Sequence, residues 1–303
     1  MSRTILITGA TGKQGSSIIA ALLKAKADFE ILAITRDASS KAAQKLPGMS
    51  SNIKLVEGNL NEAEKIFANA HKATSQPIWG VFSVQMVAGA SNEEAEVKQG
   101  KDLIDAALKN NVKHFIYSSV DRGGDVSFDN PTLVPHFITK HYIEHHLVEK
   151  TKGTEMTWTI LRPVAFFDNL TPDFIGKVFA TCWKNTVKEK PLQLISVDDI
   201  GFFGAQAFMY PDQYRNKAVS LAGDELTYEE MTEIFKAKTG KSVPTTFGLV
   251  GKGVMAMVKD LGYMFQWFYD VGFDTNIQEL KRLHPELKDF GTWLENNSGF
   301  DTN

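Results

Sequence analysis

Residues 4–15 read TILITGATGKQG: an aliphatic, β-branched run and then Gly9, Gly12 and Gly15. The spacing is GxxGxxG rather than GxGxxG, and spacing alone says little. Its place says more, because the glycines follow a strand-like run and open an amphipathic stretch. A tight strand-to-helix turn needs a residue free of Cβ constraints. Backbone N–H groups that must approach a pyrophosphate need the same freedom, and the helix N-terminus adds a favourable dipole. The stretch therefore predicts a dinucleotide-binding βα turn.

Working outward, short apolar runs alternate with longer amphipathic ones. TILIT is followed by 15–26, FEILAITR by 38–46, then come IKLVEGN, WGVFSV, 93–110, HFIYSS, 136–150 and TWTILRP. Continuous apolar strands separated by helices predict an α/β, Rossmann-type doubly wound parallel sheet. After about residue 165 the rhythm loosens. An aromatic segment VAFFDNL, a helix near 171–184 and strand-like LQLISVDD and AVSLAG come next. In TYEEMTEIFKAKTGK, Thr227 reads as N-cap, with Glu230 three residues on and Gly240 near the end. The expected organisation is a cofactor domain over 1–164, to which the chain returns at about 190–222, and a smaller, mostly helical C-terminal lobe over 165–303.

Composition agrees with a compact globular protein: 303 residues, 43% hydrophobic, 23% charged and a net charge of -3. That charge offers no broad basic surface, and no recognition-helix or zinc-finger spacing is found, so direct nucleic-acid binding is not expected. Cys182 is the single cysteine, which excludes an internal disulfide and a multi-cysteine metal site. With no signal-peptide pattern and no apolar run of about 18 residues, neither secretion nor a membrane span is expected. The expected location is the cytoplasm, with the nucleus as a second compartment.

The second strand ends in Arg36 and Asp37. An acidic residue there suits the ribose hydroxyls of NAD, and an arginine suits the 2′-phosphate of NADP. Arg36 favours NADP(H), with Lys13, Ser40 and Lys41 as further donors, although Asp37 stands beside it and could neutralise it. Asn59 and Leu60, after the third strand, are candidates for the adenine site. Val84, Gln85 and Met86, after the fourth, lie along the same edge, where apolar residues also serve as packing.

Several of these stretches together resemble the NmrA-like family, an atypical branch of the short-chain dehydrogenase/reductases. They are ITGATGKQG, the Arg36 strand end, EVKQGK, YSSV, HFITK, LRPVAFFDNL and ELKRLHPELKDFGTWLE, and the likeness runs from about residue 4 to about residue 296. The resemblance implies NADP(H) binding. It implies that Gly9, Ala10, Thr11, Gly12, Lys13, Gln14 and Gly15 hold the pyrophosphate and that Arg36, Ser40 and Lys41 surround the 2′-phosphate. It further implies that Val84–Met86 lie on the nicotinamide side, that Lys140 contacts the nicotinamide ribose and that Phe166, Phe167, Asp168 and Asn169 flank the nicotinamide. Asn59 departs from the Asp or Gln that relatives often carry.

Short-chain dehydrogenases of the ordinary kind carry Tyr-x-x-x-Lys on one helix face. Here residues 135–142 read PHFITKHY, so Lys140 keeps the lysine position and His136 takes that of the tyrosine. An imidazole with an unperturbed pKa of about 6.5 suits proton transfer, and His136 reads equally well as a packing residue. Ser118 and Ser119 end the fifth strand, and Ser119 is a candidate to orient substrate. His141 and His145 have a metal-ligand spacing, and Glu144 or His146 could be proposed as a third ligand, but neither makes the HExxH pattern, so no metal is expected. The aromatic run at 262–273 reads as lobe packing, whereas Trp183, Phe166 and Phe167 are candidates for a pocket. Two functions follow: an NADPH-dependent oxidoreductase acting on a quinone, enone or imine, or a non-catalytic NADP(H) redox sensor acting through a protein. The expected partners are a small-molecule substrate beside the nicotinamide or a regulatory protein, with a homodimer left open.

Overall fold

The computed structural model describes residues 2–85 and 93–302. In chain order the first elements are β1 (Arg3–Ile7), α1 (Lys13–Lys24), β2 (Phe29–Thr35), α2 (Lys41–Met49), β3 (Ile53–Glu57), α3 (Ala63–Ala73), β4 (Ile78–Ser83), α4 (Glu93–Lys109), β5 (His114–Ser118), α5 (Pro135–Thr151) and β6 (Thr157–Pro163). Then come β7 (Ala165–Phe166), α6 (Phe174–Cys182), β8 (Leu192–Ile195), α7 (Val197–Met209), α8 (Pro211–Tyr214), β9 (Lys217–Leu221), β10 (Asp224–Leu226), α9 (Tyr228–Thr239), α10 (Gly248–Met257), α11 (Lys259–Asp270), α12 (Ile277–Leu283) and α13 (Phe290–Asn296).

Seven strands form one sheet in the order β3-β2-β1-β4-β5-β6-β9. The five pairings from β3 to β6 are all parallel. The order reverses at β1, so the loops after β1 and β4 leave the sheet at the switch point where open α/β sheets bind ligands. The expected Rossmann-type sheet is thus present. Helices cover both faces of its central strands, so even the polar ends of β5 are enclosed: all five of its residues, His114 and Ser118 included, are buried. One helix was absent from the expected rhythm. Ala63, Ile66, Phe67 and Ala70 of α3 are buried, an i, i+3, i+4, i+7 stripe that covers the sheet between β3 and β4.

The chain divides into two compact units. The first holds Met1–Ser119, Thr139–Arg162 and Ile200–Val219; the second holds Val120–Ile138, Pro163–Asp199 and Ser220–Asn303. The first unit thus ends its long run at Arg162, close to the expected 164, and the segment 120–138 falls with the second. The return begins at Ile200, because β8 pairs within another sheet and α7 packs closely on α1. A Cβ on Gly201 would stand 2.0 Å from Ser17 Oγ, and one on Gly204 would stand 2.7 Å from Ile18. Glycine lets these two helix backbones approach.

The second unit has its own three-strand sheet, β10-β8-β7, with β7 and β8 parallel and β8 and β10 antiparallel. Around it lies a core rich in aromatic rings, including Phe179, Trp183, Phe265, Phe268, Phe290 and Trp293. Helix α9 has the expected capping box, with Thr227 and Glu230 bonded reciprocally and Gly240 left-handed at its C-terminus. Among the described residues no helix is long and apolar enough to cross a membrane.

Candidate functional site

In the first unit each glycine of the opening loop answers a separate steric demand. Gly9 has φ +60, a left-handed conformation, and a Cβ there would stand 2.8 Å from Val84. Gly12 ends the turn, its N–H donating to the Gly9 carbonyl at 2.9 Å. Gly15 lies against β1, where a Cβ would meet the Gly9 carbonyl oxygen at 2.3 Å and the Thr8 oxygen at 2.8 Å. No side chain caps the N-terminus of α1, and an uncapped helix end offers backbone donors and a positive dipole end to an anion. Ala10 is buried and Thr11 exposed, while Gln14 accepts a hydrogen bond from Ser118 Oγ at 2.5 Å.

The end of β2 resolves the competition at Arg36. The Asp37 carboxylate accepts the backbone N–H of Ser39 at 2.8 Å and the Ser39 hydroxyl at 2.6 Å, and the Ser39 hydroxyl is the first cause that holds this carboxyl below the usual range. Arg36 is exposed and has no hydrogen bond or ion pair among the described residues. Ser40 caps α2, accepting the Ala43 N–H at 3.3 Å, and Lys41 is the first, exposed residue of that helix. A free guanidinium, a lysine and a helix N-terminus thus follow one another at this strand end, a combination suited to a phosphate.

Asn59 is committed locally, its Oδ1 accepting the Asn61 N–H at 3.0 Å, and Leu60 packs against the core of the first unit. After β4, Val84 abuts Gly9 and Gln85 is buried, donating to Ser83 Oγ at 2.8 Å. The other polar atom of Gln85, Oε1, is buried with no donor among the described residues. Met86, the third residue of this set, lies outside the described residues.

Helix α5 carries two buried ionic groups in the first unit. Lys140 Nζ donates to Glu96 Oε1 of α4 at 2.5 Å, and Thr139 Oγ1 donates to Glu96 Oε2 at 2.5 Å. One turn on, Glu144 is fully buried and receives Arg162 of β6 twice, from Nη2 at 2.7 Å and Nε at 3.1 Å. The Ser119 hydroxyl also donates to Glu144. This second group ties α5 to the ends of β5 and β6.

In the second unit His136, in the first turn of α5, pairs with Asp260 in the first turn of α11. Its Nδ1 lies 2.7 Å from Asp260 Oδ1, and its backbone N–H donates to the same oxygen at 3.3 Å. A carboxylate accepts only, so Nδ1 carries the hydrogen of this contact. Asn169, Phe174, Ile175, Val178, Phe179, Val254, Leu261 and Met264 line a cavity of about 270 Å³. Asn169 is its one polar side chain. Phe166 is half-buried, and Asp168 is held by accepting the Val197 N–H at 3.0 Å. Phe167 and Trp183, read as pocket candidates, are fully buried core, with Phe167 stacked on Trp293 at 5.6 Å. Phe265, Trp267 and Phe268 pack in the same core, in keeping with the reading of 262–273 as lobe packing.

The histidines of α5 go to other uses. The rings of His141 and His145 lie with centroids 4.2 Å apart, tilted to one another, and the candidate third ligands are engaged, Glu144 by Arg162 and His146 by Asp105 at 2.8 Å. Glu96, Arg162 and Asp260 carry no role that the sequence alone suggested, and the sequence offered Glu144 only as a candidate metal ligand. Glu96 and Gly100 stand at i, i+4 within the first part of α4, a spacing that could have marked a contact face. Asp260 is 124 residues from His136, and no sequence pattern joins the two.

A sequence profile of the NmrA-like family matches residues 1–294. An NmrA-like family domain-containing oxidoreductase of Penicillium ochrochloron is 28% identical over 259 residues, 79% of this chain and 74% of its own length. Among solved structures, the Citrobacter sp. triphenylmethane reductase complexed with NADP(H) superposes with a TM-score of 0.70 at 17% identity, covering 95% of this chain and 98% of its own. The NADPH-dependent quinone oxidoreductase of Escherichia coli complexed with NADPH gives 0.72 at 19% identity, covering 95% and 97%. At these identities the structural likeness concerns the fold.

Proposed function

Given that the chain belongs to the NmrA-like family, we propose that it is an NADPH-dependent oxidoreductase that reduces a small conjugated or cyclic acceptor, a quinone, enone or imine. The observation that carries this reading is the unpartnered Arg36 guanidinium, placed at the strand end before the N-terminus of α2 in the same unit as the glycine loop. The left-handed Gly9, the N-terminus of α1 without a side-chain cap, and the buried Gln85 Oε1, which has no partner among the described residues, fit a dinucleotide in that unit. The NADP(H) and NADPH named with the two solved reductases favour the phosphorylated cofactor here.

When bound, the cofactor supplies a hydride. The loop from Gly9 to Gly15 and the positive end of α1 hold its pyrophosphate, and Arg36 with Lys41 holds the 2′-phosphate. Lys140 offers its ammonium to the nicotinamide ribose. The second unit offers an apolar cavity that would take an apolar body and keep it from water, with Asn169 as the polar side chain among its lining residues. As an imidazolium held through Nδ1–H by Asp260, His136 would give its Nε2 proton to the acceptor and be left neutral with the hydrogen on Nδ1. A quinone or iminium acceptor places a modest demand on that donor, which suits a chain with histidine where other short-chain dehydrogenases have tyrosine.

The test is twofold. Arg36→Ala should weaken NADPH by about tenfold or more while NADH changes little, as loss of a charge-assisted phosphate contact requires; equal losses would refute the 2′-phosphate assignment. NADPH oxidation against quinones, enones and cyclic imines should collapse in Lys140→Ala. Tight NADPH binding with no turnover across the panel would instead favour a redox sensor acting through a protein partner.

A further inference from the structure

We infer that Glu96 is the residue that positions Lys140 for the nicotinamide ribose, an inference that rests on the proposed NADP(H) function. Helix α4 opens with three acidic residues, Glu93, Glu94 and Glu96. Glu93 and Glu94 are exposed as a first turn allows, but Glu96 is 3% exposed. Removing a carboxylate from water costs several kcal/mol unless its oxygens are well paired. Here both are: Oε1 takes the Lys140 ammonium and Oε2 the Thr139 hydroxyl, each at 2.5 Å.

The backbone explains how the carboxylate reaches them. One turn along α4, a Cβ on Gly100 would stand 2.6 Å from Ile143, so glycine lets α4 and α5 approach closely at that level. Glu96 precedes Gly100 by four residues, and Thr139 precedes Ile143 by four. The close approach at 100 and 143 therefore brings 96 against 139 and 140 on the facing helix surfaces. Lys140 lies in the second turn of α5, near the ends of the strands where open sheets gather ligands.

The ammonium has three donors. One goes to Glu96, and among the described residues the other two have no partner, while a ribose presents two adjacent hydroxyls. Lysine by itself is a flexible four-carbon stem with considerable rotamer freedom. Anchored by a buried carboxylate whose second oxygen is itself held, the stem is ordered before the cofactor arrives. Glu96 acts through Lys140 and is a positioning residue.

The experiment compares two ligands, NADPH and adenosine 2′,5′-bisphosphate, which keeps the 2′-phosphate end and lacks the nicotinamide ribose. Glu96→Gln should weaken NADPH by about tenfold and leave the bisphosphate within about twofold, since one charge-assisted contact is lost at the ribose only. In the Lys140→Met background the same substitution should have no further effect on NADPH. Thr139→Val, which keeps the ion pair and frees one carboxylate oxygen, should cost NADPH about threefold and the bisphosphate nothing, and it serves if Glu96→Gln does not fold. Equal losses of both ligands, unchanged NADPH affinity in both variants, or additive losses with Lys140→Met would overturn the inference alone. A wild-type protein that binds neither ligand would overturn the proposed function and this inference with it.

Discussion

The buried pair of Arg162 and Glu144 makes a sharp prediction. The side chains are 6% and 0% exposed, and the guanidinium meets the carboxylate through two nitrogens at 2.7 Å and 3.1 Å. Substituting Arg162→Met keeps much of the stem and removes the charge, leaving an ionised carboxylate in the interior without its guanidinium. Breaking a buried pair in this way costs about 3–5 kcal/mol. With a urea m-value of about 3 kcal/mol/M, the unfolding midpoint should fall by about 1–1.7 M. Replacing both groups, as in Glu144→Leu with Arg162→Met, removes the stranded charge and should recover much of that loss, for a coupling energy of about 3 kcal/mol. Urea titrations followed by circular dichroism on the wild type, two singles and the double close the cycle. A single Arg162→Met variant with an unchanged midpoint, or a double whose loss equals the sum of the singles, would refute this account of the pair. The effect extends to function, because Glu144 is one turn from Lys140 on α5 and ties that helix to β6 and, through Ser119, to β5.

Gly15→Ala places a Cβ against the backbone of Gly9 and Thr8 at 2.3 Å and 2.8 Å, so α1 must move off β1, and NADPH affinity measured by fluorescence titration should fall about tenfold or more. Burial, reinforced by Arg3, pushes the His114 imidazole down to about 4 from 6.5. The folded state therefore holds it neutral where the unfolded chain protonates it: its contribution to stability is complete above about pH 6.5 and is lost as pH falls toward about 4. Between pH 7.5 and 5 that loss is about 2 kcal/mol, and His114→Leu should flatten the pH dependence of urea stability by that amount; identical slopes would contradict it. Asp260→Asn removes the carboxylate that orients His136 Nδ1, so turnover should drop by about tenfold with NADPH affinity unchanged, whereas a parallel loss of both would point to a packing role.

Much of the fold was legible in local pattern. The glycine loop, the alternating strands and helices and the capped α9 follow from period, turn chemistry and capping, which act over a few residues. Helix α3 was legible too in the apolar stripe of Ala63, Ile66, Phe67 and Ala70, although its short span between two strands hid it. The tight turn at Gly9, Gly12 and Gly15 and the place of Arg36 just after β2 were readable from the short stretches that carry them. The candidate site was not legible where a side chain has alternative partners. Asp37 looked able to cancel Arg36, but its carboxylate folds back onto Ser39. Phe167 and Trp183 looked like pocket walls and are core, because an aromatic ring reads the same in either setting until its neighbours are known.

By itself the sequence determined that a dinucleotide-type βα turn opens a parallel sheet, because backbone freedom and apolar period are properties of contiguous residues. It also placed histidine where the catalytic tyrosine of the wider family stands. Only the tertiary structure decided what those residues touch: Glu96 on Lys140 across 44 positions, Glu144 under Arg162 across 18, and Asp260 on His136 across 124. A buried charge is tolerable only beside a partner that desolvation and geometry select, and that choice is made by the packing of helices and strands rather than by any stretch of chain.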